Sequence, residues 1–440
     1  MPVDDGSAPT ADTPPGVWTA DPACTATADA IYVTPAQLPA DRGAILACAL
    51  GDRLELADVQ AELADTGAEG VVAITGARVV KLAYGTIRSD GTATMTSATA
   101  YLPIVPRALP APIVLIGRPT SGLADACAPS KQPRPERNLA LPFAARGYVT
   151  ITPDYAGLGT DGVHSYLDNH EAATELFDGV RALQALEPAG VVGDAVGAVG
   201  YSQGGGIVLS AQALEQTLTG HHALRGVAAI APEWPISTRS FGYEDVLRNP
   251  DRLTGLAGLA PPTVTVMRHY GVLQNRLGLA GDEAFPAGER DSITASLESL
   301  CTLQLGGALA ARQPRLGDLV DDAFRRQVLA CIDGGAECTG TGRAFHAWLT
   351  GDFVTADPAG ARVLIVQGLA DQVMPAAGEA ACDVAKLRRE GVEPDVCTEA
   401  TATHDTILES KIEHVVAWIE AVATGTAPPA CATTLPGCSR

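Results

Sequence analysis

The pentapeptide Gly200-Tyr201-Ser202-Gln203-Gly204 sets a serine between two glycines, directly after the apolar run Ala195–Val199 and directly before a Gly-rich helical stretch, 204–218. With 46 glycines in 440 residues, G-x-S-x-G arises by chance in roughly one such chain in six, so its context carries the weight. A strand followed by this motif and then a helix is the sequence form of a strained turn that projects the serine hydroxyl. The helix N-terminus behind it aims amide N–H groups at developing negative charge.

A serine hydroxyl needs a base, and the base needs a carboxylate to orient it. In a strand-turn-helix arrangement they follow the serine in the order acid, then histidine. The apolar run 363–368 ends in Leu369-Ala370-Asp371, which puts Asp371 just past a strand's C-terminal end, on the same rim as Ser202. Only His404 and His414 follow it. His404 lies in the short loop 402–408 between the last strand and the last helix, where a base reaches that rim. His414 sits in a helix beside the apolar stripe Ile412, Val415, Val416 and Ile419, pointing away from it, and is expected to be a solvated surface residue. His164, His170, His221, His222, His269 and His346 are expected to be structural or solvated. A tetrahedral intermediate needs two backbone donors. One is the N–H of Gln203; the other belongs to the loop Gly117-Arg118-Pro119 or to Asp154-Tyr155-Ala156-Gly157. Tyr155, Tyr201 and Trp234 are candidate walls of a substrate pocket.

These residues need a scaffold that brings strand ends to one rim. The segments 77–87 and 93–104 flank Ser89-Asp90-Gly91 and read as an antiparallel pair. The runs 112–117, 147–153, 195–200, 224–232 and 361–368 are continuously apolar and alternate with helical stretches such as 170–186 and 204–218. That pattern is expected of parallel strands covered on both faces. A last strand, 393–400, precedes a helix over 405–423. The stretch 236–355 lacks strand signals and reads as an inserted helical cap, although it carries charges such as Arg248, Asp251, Arg290 and Arg325. The expected division is a flexible tail, 1–30, a core of 31–235 and 356–440, and the cap.

The formal net charge of −21 and pI near 4.7 argue against nucleic acid and anionic membranes as partners. Hydrophobic residues make up 46% of the chain, enough for a large core. No run reaches the length of a membrane helix, so no stable membrane insertion is expected. The first 16 residues contain neither a basic segment nor an apolar one and read as a tail left after signal-peptide removal. Ten cysteines form no C-x-x-C and no Cys/His grouping with zinc spacing. An even count in such a chain points to disulfides and export, with Cys331–Cys338, Cys382–Cys397 and Cys431–Cys438 as natural first pairings.

Taken together, CAPS (127–130), ITPDYAGLGT (151–160), GYSQGG (200–205), VQGLADQVMP (366–375) and ATHDT (402–406) resemble the α/β-hydrolase superfamily, and within it the secretory lipases of the Candida antarctica lipase A type and their bacterial relatives. The match spans about residues 75 to 425 in order. The resemblance implies an α/β-hydrolase fold with a mostly parallel sheet, flanking helices and an inserted helical cap. It assigns the second oxyanion donor to Asp154 and implies lipase or carboxylesterase activity. Relatives commonly carry Glu after the Tyr of the PDY motif, where this chain has Ala156. The reading is a secreted, monomeric serine ester hydrolase acting on small-molecule or lipid esters of short to medium chains, with polyesters as an extension. The mechanism requires no metal or organic cofactor. A serine peptidase, amidase or acyltransferase with the same triad is the alternative.

Overall fold

The computed structural model describes residues 17–134, 136–234, 243–251, 261–312, 315–431 and 434–438. Its nine strands are β1 (Ile45–Leu54), β2 (Ala77–Ile87), β3 (Ala93–Pro103), β4 (Ala111–Gly117), β5 (Val149–Pro153), β6 (Val192–Tyr201), β7 (Gly226–Ile230), β8 (Arg362–Gly368) and β9 (Asp395–Glu399). They form one sheet in the order β1-β2-β3-β5-β4-β6-β7-β8-β9. The pairs from β5–β4 through β8–β9 are parallel, and those from β1–β2 to β3–β5 are antiparallel. The expected hairpin is present, in register from Ala77 opposite Pro103 to Ile87 opposite Ala93. Strand β1 was not legible in the sequence. It is an edge strand with register shifts, whose apolar run Ile45–Leu50 gives way to Gly51, Asp52 and Arg53 and shows no clean alternation.

Helices cover both faces, as expected for buried parallel strands. On one face lie α3 (Asn169–Leu186), α4 (Gln203–Thr219) and α11 (Ala380–Arg389), which bury Leu176, Ile207, Val208 and Leu387. On the other lie α1 (Leu56–Asp65), α2 (Arg137–Ala144) and α12 (Ile407–Thr424), which bury Leu63, Phe143, Ile412 and Trp418. Between β7 and β8 the described elements are helical: α5 (Tyr243–Arg248), α6 (Pro261–Gly271), α7 (Arg290–Ser299), α8 (Thr302–Arg312), α9 (Asp322–Asp333) and α10 (Gly340–Gly351). They share a separate core around Met267, Phe285, Phe324 and Phe345. The charges that counted against a greasy lid lie outside it: Arg248 pairs with Glu244 and Asp333, and Arg325 pairs with Asp322. Of the expected cap, residues 236–242, 252–260 and 313–314 lie outside the described residues.

The expectation of a flexible tail over 1–30 needs correction. Residues 1–16 lie outside the described residues, but from residue 17 the chain is anchored. Trp18 Nε1 donates to Pro103 O at 3.1 Å, Asp21 pairs with Arg53 and Arg78, and Cys24 is bonded to Cys48. Composition alone could not reveal partners that lie dozens of residues away. All ten cysteines are paired. Cys331–Cys338 forms as expected, whereas Cys382 pairs with Cys438 and Cys397 with Cys431, not in the order nearness in sequence suggested. The tail after α12 crosses the β9 edge, which brings Cys431 to the strand before Cys438 reaches α11. Cys127–Cys301 joins the segment after β4 to the start of α8.

Candidate active site

Strand β6 delivers Ser202 at its C-terminal end, where φ is +56° and ψ is −119°. That conformation is costly for a residue with a Cβ and persists only where the surroundings enforce it. Here the Ser202 N–H donates to Ile230 O at 2.9 Å, and the Ser202 carbonyl accepts from Gly205, Gly206 and Glu233 N–H groups. The glycines after the serine have steric causes. A Cβ on Gly204 would collide with the Gly117 carbonyl, and one on Gly206 with the Glu233 carbonyl.

Asp371 lies in the loop after β8. Its Oδ1 accepts from the Val373 and Met374 N–H groups at 2.8 and 2.7 Å. Its Oδ2 accepts from Gln367 Nε2 at 3.4 Å and faces His404 Nδ1 at 2.8 Å. A carboxylate beside Nδ1 places the imidazole proton there and leaves Nε2 as an acceptor. His404 Nε2 lies 3.0 Å from Ser202 Oγ. The chain thus brings Ser202, His404 and Asp371 into one hydrogen-bonded line, each largely buried. His414 is elsewhere and half-buried, against the Cys397–Cys431 disulfide, not a fully solvated surface residue.

The structure corrects the oxyanion expectation at Asp154. Its N–H donates to Ser97 O at 2.8 Å, continuing the β3–β5 ladder, and is committed there. Its side chain accepts from Ser97 Oγ, Ser130 N–H and Ser130 Oγ. Moreover, β4 stands between β5 and β6 in the sheet. The neighbour of the elbow is therefore the loop after β4: Gly117 is in register with Gly200, and the Gly117–Arg118 backbone packs against Gly204. Among the described residues, no backbone acceptor is found for the Gln203 N–H, at the first turn of α4.

The three pocket candidates also sit differently from expectation. Tyr155, at φ +75°, is fully buried beneath the Arg118 guanidinium, 4.5 Å from its ring centroid. Trp234 is fully buried too, with Lys386 Nζ 4.5 Å over its ring. Neither is an accessible wall. Tyr201 instead braces the base, its hydroxyl donating to the His404 carbonyl at 2.7 Å. At Ala156, the N–H is held by the Glu175 carboxylate of α3 at 3.0–3.1 Å. Burial, reinforced by Glu171, pushes that carboxyl up to about 8. Sequence reasoning missed His164. It is buried, with Nε2 3.0 Å from Gln203 Nε2, and burial next to Arg118 and Arg88 holds its pKa well below the usual histidine value. No sequence signal marked it, because His164 and Gln203 lie 39 residues apart.

No family model and no curated protein sequence matches the chain. Among solved structures, the ligand-bound form of the rice cell wall degrading esterase LipA from Xanthomonas oryzae is similar at a TM-score of 0.63 and 20% identity, over 85% of this chain and 97% of that one. Candida antarctica lipase A in its closed state is similar at a TM-score of 0.64 and 17% identity, over 93% of this chain and 89% of that one. At such identities the likeness establishes the fold. The chain has the α/β-hydrolase fold, the class its motifs resembled.

Proposed function

We propose that the protein is a secreted serine hydrolase of carboxylic esters. The observation that carries this is the contact of Ser202 Oγ with His404 Nε2 at 3.0 Å and of His404 Nδ1 with Asp371 Oδ2 at 2.8 Å, on a strained elbow. In this reading Ser202 attacks the ester carbonyl while His404 takes its proton, and Asp371 steadies the imidazolium. The Gln203 amide and an amide of the loop after β4 stabilise the oxyanion. His404 then protonates the leaving alcohol, and a water activated by His404 releases the acid from the acyl-enzyme. The similar structures are named as an esterase and a lipase, which favours esters among acyl substrates. Five disulfides favour export. Helices α5–α10, with their own core, are read as the cap over the site, selecting short to medium acyl chains, and polyesters are a further substrate to assay.

The test is hydrolysis of p-nitrophenyl esters from acetate to palmitate by the wild type and Ser202→Ala. The expected result is an active wild type and a kcat loss on the order of 10³-fold or more in the variant. A wild type inert on every ester, or a variant that keeps its rate, overturns the reading.

A further inference from the structure

Four buried side chains run in contact from the loop after β4 to the residue after the serine. Arg118 follows β4, and its guanidinium ties down its own loop by donating to Pro119 O and Ser121 Oγ, each at 2.9 Å. The same guanidinium reaches across to the Asp154 carbonyl, donating from Nε at 3.0 Å and also from Nη2. It lies 4.5 Å over the Tyr155 ring, and the His164 ring stacks on Tyr155 at 5.3 Å and 15°. His164 Nε2 completes the line at Gln203 Nε2, 3.0 Å away. All four residues are at most 3% exposed. The line begins and ends on the two segments whose amides flank the elbow, yet none of its side chains takes part in the Ser202–His404–Asp371 contacts.

We propose that Arg118, Tyr155 and His164 form a bracket that sets the spacing between the Gln203 amide and the loop after β4, making Arg118 and His164 positioning residues for the oxyanion hole. This rests on the ester-hydrolase reading and deepens it. Oxyanion donors act only within about 2.7–3.1 Å of where the charge develops, so a shift of either loop weakens transition-state binding and leaves ground-state binding alone. Arginine is required because one rigid fork serves acceptors on two loops, which an ammonium cannot do. The imidazole must be neutral to accept from Gln203, and its burial beside two arginines keeps it so.

The experiment compares His164→Leu, His164→Gln and Arg118→Lys with the wild type on p-nitrophenyl butyrate. It also measures inhibition by an alkyl boronic acid, whose tetrahedral adduct on serine loads the oxyanion hole. His164→Leu is expected to lower kcat and kcat/KM together by about 10- to 100-fold, with boronic-acid affinity falling in step. His164→Gln, whose Oε1 can accept from Gln203, restores most of the loss. Arg118→Lys behaves like His164→Leu, and carries the test if the leucine variant does not fold. A kcat within about threefold of wild type in both His164→Leu and Arg118→Lys overturns the bracket, as does a kcat loss without loss of boronic-acid affinity. Failure of the ester-hydrolase reading looks different: the wild type itself would turn over no ester.

Discussion

Asp371 and His404 are each held by contacts whose residues the motifs contain but which the motifs do not announce. Asp371 is oriented by two backbone amides and Gln367, and His404 by the Tyr201 hydroxyl on its carbonyl. Replacing Asp371 by Asn keeps the shape but favours the tautomer with its proton on Nε2, so kcat on p-nitrophenyl butyrate should fall by about 10⁴-fold with little change in thermal midpoint. Tyr201→Phe removes one hydrogen bond from the His404 loop, worth about 1 kcal/mol. It should lower kcat several-fold, measured beside Ser202→Ala as the floor. A Tyr201→Phe variant as fast as the wild type would show that the hydroxyl serves no positioning purpose. Ser202, Asp371 and His404 were legible because each stands just after a strand, where apolar runs announce themselves. Tyr201 as a brace was not, because its partner is a backbone carbonyl 203 residues away.

Among elements, the elbow helix α4 and the loop after β4 depend on direct backbone contact. Gly206→Ala would drive a methyl into the Glu233 carbonyl, so the expected outcome is a loss of roughly 3 kcal/mol or more, read from chemical denaturation with Gly437→Ala as control. The Cys127–Cys301 bridge spans 174 residues and links the segment after β4 to α8. Chain-entropy arguments put its upper-bound contribution at about 5 kcal/mol. The Cys127→Ser/Cys301→Ser pair should therefore lower the denaturation midpoint far more than Cys331→Ser/Cys338→Ser, whose loop spans only 7 residues. Comparable losses would mean that the long bridge merely decorates a contact already stable. The sequence pattern located eight of the nine strands, β2 to β9. It could not locate β1, since an edge strand needs only one good partner and half a face.

Across the whole molecule, burial of carboxyls gives stability a definite pH dependence. Burial lifts Glu175 from an ordinary 4.5 to about 8, and Glu171 and Glu136 to about 7. Between about pH 4.5 and 8 the folded state then holds protons that the unfolded chain has lost. Stability is thus greatest at the acid end of that window and falls as pH rises through it. The thermal midpoint is expected to drop by several degrees between pH 5.5 and 8.5, and less steeply in Glu175→Gln, whose Oε1 can still accept from Ala156. Parallel slopes for the two proteins would remove Glu175 from the account. The formal charge of −21 works in the same direction in both proteins and cancels from that comparison.

The sequence by itself determined the class of sheet, the rim on which chemistry could occur and the order of serine, acid and histidine. Those properties are local: a run of apolar residues, a sharp turn and a loop position each leave a mark within ten residues. What only the tertiary structure decided are the choices between equivalent local signals. Asp154 and the loop after β4 looked alike as oxyanion donors until strand order put β4 beside the elbow and gave the Asp154 amide to Ser97. Cysteine partners, the burial of Tyr155 and Trp234 and the contact of His164 with Gln203 were hidden for the same reason. Each joins residues far apart in the chain, and the distance between such residues is set by packing rather than by either neighbourhood alone.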